Sequence, residues 1–304
     1  MKYESYQPSP AGASGDFFYY DVLGRRHAAE LNPAVPRHDY FWPSEIFGPP
    51  LSYASGKGGV PEVTAPAGYR MLRGIDVSRH NGPVDWSRVK AAGYDFAFIR
   101  IAYRGYGTAG SLREDERALS NLTAAKSAGL KVGVYVFSQA VNEAEAVEEA
   151  AFVTDLLGKA AAALPGAEAA GADAAAPGRK SSVSDAAAPD GKFPLDLPVI
   201  FDPETIRDDI ARTDNVTGEQ FTANAAAFCE YIEKGGYEPG IYSNMIWEDY
   251  YFDLSQLTEY PIWYADYSSR PQTPYHFTWW QYSEKGTADG VSGPVDLNVW
   301  FVKE

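Results

Sequence analysis

The chain has 304 residues and a formal net charge of −15, from 26 basic and 41 acidic residues. Such a surface would repel phosphate backbones, and no stretch concentrates Lys and Arg with aromatic residues, so nucleic-acid binding is excluded. No run of apolar residues is long enough to span a bilayer, which excludes membrane insertion.

The histidines and the single cysteine exclude two further kinds of site. Because the four histidines lie far apart without the spacing of zinc ligands, the sequence predicts no metal site and no cofactor. Cys229 lies in a helical pattern and is interpreted as a small buried hydrophobic residue rather than a reactive thiol. One cysteine permits no internal disulfide.

Residues 1–70 form an N-terminal extension that is rich in Pro and Gly and has no sustained period. Its aromatic clusters, Phe17–Tyr20 and Tyr40–Trp42, predict partial order, because disordered segments are usually poor in aromatic residues. Packing on the main domain alone is favoured over contact with substrate. The first residues lack the basic-then-apolar order of a secretion signal, so we expect either a cytoplasmic protein or a leader already removed.

From residue 71 onwards, apolar strand patterns alternate with helical patterns, which is typical of a parallel α/β sheet. Eight strands in the remaining chain match the size of a barrel. We therefore predict an irregular TIM-like barrel of five β/α units followed by three strands. The predicted strands are 71–77, 96–103, 131–137, 197–204, 238–244, 261–268, 277–283 and 294–301, and the predicted helices are 84–93, 114–129, 142–158 and 217–236.

One segment of the barrel domain, 71–304, breaks this regularity. Residues of about 159–193 are rich in alanine, interleaved with Gly, Pro and Ser, and contain almost no large apolar residue. This composition predicts a flexible, solvent-exposed insertion in a surface loop.

Acidic residues lie at the ends of four predicted strands. Asp76 ends the first strand, Asp202 and Glu204 end the fourth, Asp266 ends the sixth, and Asp296 lies in the eighth. Because barrel enzymes place their chemistry where strands end and loops begin, we expect these carboxylates to gather at one rim.

Asp202 and Glu204 are two residues apart, so on a strand both side chains point to the same face. Two carboxylates about 6.5–7 Å apart at Cα disfavour double ionisation, so the pKa of one should rise until it holds a proton near neutrality. That is what a general acid needs to protonate a glycosidic oxygen. Taken alone, an Asp-Pro-Glu turn with a helix-capping acid is the simpler interpretation, but Asp76 and Asp296 favour catalysis.

The chain resembles glycoside hydrolase family 25, the lysozymes that act as N-acetylmuramidases, from about residue 73 to 301 without the alanine-rich insertion. The resemblance lies in seven motifs in the family's order: RGIDVSRHNGPVDW, VGVYVFS, LPVIFDPE, GIYSN, IWYADYS, WWQYSEKG and GPVDLNVW. It implies an irregular barrel of five β/α units and three strands. It also implies cleavage of the β-1,4 bond between N-acetylmuramic acid and N-acetylglucosamine.

The resemblance also implies roles for individual residues. Glu204 matches the general acid and Asp202 the second carboxylate, which either attacks directly or orients the substrate's own acetamido oxygen; the second course is favoured. Asp76 and Asp296 match the acids that flank this pair. Further residues expected at the substrate are Tyr135, Tyr242, Tyr264, Asp266 and Gln281.

Three aromatic or charged positions keep two interpretations. Arg100 lies between Ile99 and Ile101 and is either a lumen partner of the carboxylates or a strand-end ion pair; the lumen, and with it substrate binding, is favoured. For Trp263 and Trp280, core packing and sugar contact are equally supported.

The sequence departs from the family pattern in two places. Pro203 stands between the catalytic pair, where an apolar residue is more usual, and it removes a backbone N–H. His80 and Asn81 replace an aromatic-Gln ending, which is expected to alter sugar contacts at the rim. Neither change removes a carboxylate.

Two other functions remain open: a chitin-type hydrolase of β-1,4-linked N-acetylglucosamine, and a barrel that binds glycan without cleaving it. The expected partner is the glycan strand of peptidoglycan, and the protein is expected to act as a monomer. Because that substrate lies outside the membrane, the protein is expected to be secreted or associated with the cell wall, its leader absent from this chain.

Overall fold

The computed structural model describes residues 9, 13–21, 24–41, 60, 62–164, 191–206, 209–268 and 270–304. Its first two strands, β1 (Phe17–Tyr20) and β2 (Arg26–Ala29), form an antiparallel hairpin. The other strands belong to one sheet: β3 (Tyr69–Val77), β4 (Phe96–Arg104), β5 (Leu112–Glu114), β6 (Lys131–Ser138), β7 (Val199–Pro203), β8 (Pro239–Ser243), β9 (Ile262–Ala265), β10 (Trp279–Gly286) and β11 (Val295–Lys303).

The sheet closes into a barrel of eight strands. Neighbouring strands run parallel in the order β3, β4, β6, β7, β8, β9 and β10. Strand β11 then closes the barrel, antiparallel to both β10 and β3, while the short β5 pairs with the end of β4. The predicted irregular barrel is confirmed.

Five helices are described: α1 (Trp86–Ala91), α2 (Ala118–Ser127), α3 (Glu143–Ala162), α4 (Gly218–Lys234) and α5 (Met245–Tyr250). The sequence patterns predicted the first four and missed α5, which begins directly after β8. Asn244 is its N-cap and accepts from the backbone N–H groups of Ile246 and Trp247 at 3.0 and 3.2 Å. Among the described residues, no helix has the length and apolarity needed to cross a membrane.

Aromatic side chains fill the lower part of the barrel lumen, and a layer of polar residues lies above them. Its floor contains Phe98 stacked on Trp263, with ring centroids 4.6 Å apart, and both rings are buried. Gly74 and Gly133 make room for this layer, because a Cβ at either position would collide with the rings of Phe96 or Phe98. Residues two positions further along the strands therefore face the lumen above these rings.

The described part of the N-terminal extension packs against the barrel. Phe17, Tyr19 and Tyr40 are buried in the main hydrophobic core. The Tyr40 hydroxyl donates to the carbonyl oxygen of Phe277 at 2.6 Å. Trp42, in the second aromatic cluster, lies outside the described residues.

Both ends of the alanine-rich segment are buried in the barrel domain. Helix α3 continues to Ala162, so the insertion predicted from about residue 159 starts within a helix, where Ala160 and Ala161 are buried. Alanine is the strongest helix former, which explains the continuation. At the other end Phe193 is 1% exposed, and residues 165–190 lie outside the described part of the chain.

Candidate active site

A pocket of about 460 Å³ opens at the carboxyl ends of the barrel strands. All the site residues expected from the sequence line it, apart from Arg100. They are Asp76, Tyr135, Asp202, Glu204, Tyr242, Tyr264, Asp266, Gln281 and Asp296. Barrel closure thus brings together acids that are far apart in the chain.

Asp76 and Asp296 form a cross-strand pair on β3 and β11, directly opposite each other in register. Asp76 Oδ2 accepts hydrogen bonds from Gln281 Nε2 and Asn298 Nδ2, both at 2.8 Å. Burial, together with the neighbouring charge of Asp76, raises the pKa of Asp296 to about 9. Burial raises the pKa of Asp76 as well, so the pair favours a shared proton near neutral pH, in the hydrogen bond between Asp296 and Asp76.

Asp202 and Glu204 form the second pair, at the end of β7. The Asp202 side chain is buried and its Oδ1 has no hydrogen-bond partner among the described residues, whereas Glu204 is exposed at the pocket. Burial, then the negative charges of Glu204 and Asp76, raise the pKa of Asp202 well above its usual range. The sequence argument placed the proton of this pair on Glu204, and that placement stays a prediction; the pKa that burial raises in the structure is that of Asp202.

The backbone of Glu204 is held by the residue that follows the neighbouring strand β6. Its carbonyl oxygen accepts from Gln139 Nε2 at 2.7 Å, and Gln139 Oε1 in turn accepts from the Thr213 hydroxyl at 2.9 Å. Pro203 is the last residue of β7, so its missing N–H falls where the strand leaves the sheet. The departure at Pro203 is therefore compatible with the strand.

Gln281 connects the tyrosines to the first acid pair. Its Oε1 accepts from the hydroxyls of Tyr242 and Tyr267, both at 3.0 Å, while its Nε2 donates to Asp76. Burial raises the pKa of both tyrosines well above 10, so they remain hydroxyl donors. The sequence places Tyr267 at a strand end beside an acidic residue, a combination typical of sugar-binding clefts, but it was not among the expected site residues; it lies two residues after Ala265, the last residue of β9.

Asp266 is a buried acceptor at another edge of the pocket. Its Oδ2 accepts from the backbone N–H of Gln272 at 2.8 Å and from the Tyr264 hydroxyl at 3.1 Å. Burial raises the pKa of Asp266 to about 6. The two tryptophans differ in position. Trp280 is fully buried and donates to the Asp266 carbonyl oxygen at 2.8 Å, whereas Trp263 lines the pocket.

Arg100 makes the ion pair that was the less favoured of its two interpretations. Its guanidinium contacts Asp115 Oδ2 at 2.8 Å, and it does not line the pocket. Its positive charge still opposes the rise in the pKa of Asp202. Sequence reasoning missed Asp115 because the residue follows the short strand β5, which no pattern predicted.

His80 and Asn81, the second departure from the family pattern, lie outside the pocket lining. Asn81 Oδ1 accepts from the backbone N–H of Ser78 at 2.9 Å, and its Nδ2 donates to the Pro294 carbonyl oxygen at 3.2 Å. Asn81 thus ties the end of β3 to the start of β11, next to the first acid pair.

Several lining residues come from elements that the sequence did not predict. Tyr20 and Asp21 lie at the end of β1 in the N-terminal hairpin, and Trp247 belongs to α5. No period or motif indicated that these segments reach the pocket, and packing alone was the favoured interpretation of the extension.

Comparison with known proteins gives a family match and several relatives. The model of glycosyl hydrolases family 25 matches residues 75–171 and 185–291. The uncharacterized protein YegX of Escherichia coli K12 is 26% identical over 78% of this chain and 72% of its own length. The autolytic lysozyme of Clostridium acetobutylicum is 24% identical over 75% of this chain, which spans 55% of that protein.

Among solved structures, the spore cortex lytic enzyme SleM of Clostridium perfringens shares the fold. It superposes with a TM-score of 0.58 at 22% identity, covering 77% of this chain and 68% of SleM.

Proposed function

This chain belongs to glycosyl hydrolases family 25 and is a muramidase, a lysozyme-type hydrolase of peptidoglycan, and we propose that Glu204 and Asp202 carry its chemistry. The bond proposed for cleavage is the β-1,4 bond between N-acetylmuramic acid and N-acetylglucosamine. One observation supports these roles above all. Asp202, a buried carboxyl group with one oxygen unpaired among the described residues, lies two residues from an exposed carboxyl group, Glu204, in the same pocket.

Glu204 is proposed as the general acid. Its exposure at the pocket allows it to meet the glycosidic oxygen of a bound glycan, to which it donates a proton as the C–O bond breaks. Positive charge then develops at the anomeric carbon and needs a nearby oxygen to stabilise it.

Asp202 is proposed to orient the substrate's acetamido group. Its Oδ1 is buried without a partner among the described residues, so an acetamido N–H would satisfy it. Accepting that bond favours ionised Asp202, which leaves the proton shared by the two carboxyls on Glu204. The acetamido carbonyl oxygen then attacks the anomeric carbon, and water, deprotonated by Glu204, opens the resulting ring. Direct attack by Asp202 is the alternative course.

The first acid pair is proposed to position the substrate rather than to react with it. Asp76 holds Gln281, and Gln281 holds the hydroxyls of Tyr242 and Tyr267 toward the pocket. Tyr135 and Asp296 complete this wall. Tyr264 and Asp266 are proposed to bind substrate next to this wall, since the backbone N–H of Asp266 donates to the Gln281 carbonyl oxygen at 3.0 Å. The proposed role of Arg100 is electrostatic, through Asp202.

The relatives named as autolytic or cortex-lytic enzymes fit action at the cell wall. We also propose that this protein is secreted or wall-associated. Because one chain carries both carboxylate pairs and the pocket, we propose that it acts as a monomer.

The experiment is mass analysis of the fragments released from purified peptidoglycan by three proteins: the native chain, Glu204→Gln, and Glu219→Gln. Glu219 is an exposed acid at the start of α4 and controls for the loss of one charge. We expect N-acetylmuramic acid at the new reducing ends from the native chain and Glu219→Gln, and almost no release by Glu204→Gln. N-acetylglucosamine ends would contradict the proposed bond, and equal release by Glu204→Gln would contradict the assigned acid.

A further inference from the structure

The N-terminal hairpin lies outside the residues that match the family, which begin at residue 75, yet it reaches the catalytic pocket. Tyr20 and Asp21, at the end of β1, line the same pocket as Asp202 and Glu204. A segment added in front of the barrel therefore forms part of the wall that a bound glycan meets.

The pocket edge holds the end of β1 through a side chain that acts like a neighbouring strand. Gln272 Oε1 accepts from the backbone N–H of Tyr20 at 2.8 Å, and Gln272 Nε2 donates to the Tyr20 carbonyl oxygen at 3.1 Å. The backbone N–H of Gln272 is itself bonded to Asp266. The backbone position of Tyr20 is thus fixed relative to a carboxylate of the pocket.

Helix α5 holds the other face of the hairpin. The Tyr19 hydroxyl donates to Asp249 Oδ2 at 2.7 Å, and His27 Nδ1 lies 3.3 Å from the Tyr250 hydroxyl. The rings of Tyr19 and His27 stack at 4.9 Å and both are buried. The hairpin is therefore a packed wall of the pocket.

The chemistry of this wall differs from the acidic centre of the pocket. The Asp21 carboxylate is bound by Arg25 Nε at 2.6 Å and lies 3.0 Å from His27 Nε2, so its charge is compensated locally. Tyr20, an aromatic residue, is half-buried and lines the pocket beside it. Aromatic faces and a compensated charge suit a neutral sugar ring.

We propose that the hairpin forms an additional glycan subsite, in which Tyr20 contacts a neutral N-acetylhexosamine unit beyond the two that flank the cleaved bond. This inference rests on the proposed function, because it takes the pocket to hold a peptidoglycan strand. Gln272 is the positioning residue that holds Tyr20 in place.

The test is calorimetric binding of a soluble peptidoglycan hexasaccharide to the Glu204→Gln protein, which keeps the ligand intact. Tyr20→Ala, Tyr20→Phe and Phe18→Ala are added to this background in turn. Phe18 is the matched control because it lies on the same face of β1 as Tyr20 but does not line the pocket. The guanidinium carbon of Arg26 lies 3.5 Å from the centre of the Phe18 ring.

We expect Tyr20→Ala to raise the Kd about five- to tenfold, the value of one aromatic contact, while Tyr20→Phe and Phe18→Ala stay within twofold. Equal Kd values for Tyr20→Ala and Phe18→Ala would overturn the subsite. The proposed function fails on a different result, namely absence of hydrolysis by the native chain. Binding is measured without turnover, so the two failures are distinguishable.

Discussion

Two carboxylate pairs share the pocket, and they differ in how fully the fold satisfies them. Asp76 and Asp296 face each other across two strands, and two amide side chains donate to Asp76. Asp202 and Glu204 share one strand, and Asp202 leaves a buried oxygen without a partner among the described residues. The first pair is bound by the protein, whereas Asp202 of the second pair has an oxygen that can accept a hydrogen bond from a substrate.

This difference separates structural support from chemistry. Unpaired buried polar groups cost stability, so a fold keeps them where a ligand will complete them. Variants of the β7 pair should therefore lower activity and leave the fold intact, while variants around the β3–β11 pair should lower stability first. Four predictions test this contrast.

The largest effect is expected for Glu204→Gln. Loss of a general acid typically lowers the rate by about 10²–10⁴-fold, and an exposed side chain contributes little to the core. We expect kcat on soluble glycan to fall in that range while the thermal unfolding midpoint is unchanged. A fall in kcat of less than tenfold would contradict the assignment of the chemistry to the β7 pair.

Asp202→Asn should lower kcat by about 10²-fold, because the amide is a weaker acceptor than a carboxylate for the acetamido N–H. Stability should be unchanged or increased, since a buried carboxyl group is replaced by a neutral one. Chemical denaturation and initial rates measure the two effects. A loss of stability without loss of kcat would assign Asp202 to the structural pair instead.

Asn298→Leu should act on stability. The variant removes the donor to Asp76 and the acceptor of Trp263 Nε1, which bonds Asn298 Oδ1 at 2.8 Å. Leaving buried groups unpaired costs about 1–3 kcal/mol each. Because Asp76 keeps its bond from Gln281, we expect the free energy of unfolding to fall by about 1–3 kcal/mol in total. An unchanged value would show that these bonds do not hold the first pair.

The last prediction concerns the pH dependence of stability. The folded pKa of Asp296 is about 9, above the ordinary value of 3.8, so the folded state binds this proton more tightly. Its contribution is present at low pH and is lost as the pH rises toward 9. The melting temperature of the native chain should fall more between pH 5 and pH 9 than that of Asp296→Asn.

Asp155→Asn, at an exposed position of α3, is the control for this comparison and should follow the native chain. If Asp296→Asn follows the native chain as well, Asp296 does not hold the proton assigned to it.

The sequence predicted the barrel and the acids because both depend on repeating local signals. Apolar strands alternated with helices, and Asp76, Asp202 and Asp296 stood at strand ends. Their convergence then followed from barrel closure, without knowledge of any side-chain contact.

The features that sequence reasoning missed depend on contacts between distant residues. The clamp of Gln272 on Tyr20 joins positions 252 apart, and Asp115 meets Arg100 through a strand of three residues. The raised pKa of Asp202 also depends on burial, which only the fold reveals. Local patterns carry no information on either.

The most direct test of the account is a crystal structure of Glu204→Gln with an uncleaved peptidoglycan tetrasaccharide. We predict the substituted side chain within hydrogen-bond distance, about 3 Å, of the glycosidic oxygen, and Asp202 Oδ1 accepting from the acetamido N–H of the adjoining sugar. A glycan bound with position 204 directed to solvent, or with the acetamido group away from Asp202, would contradict it.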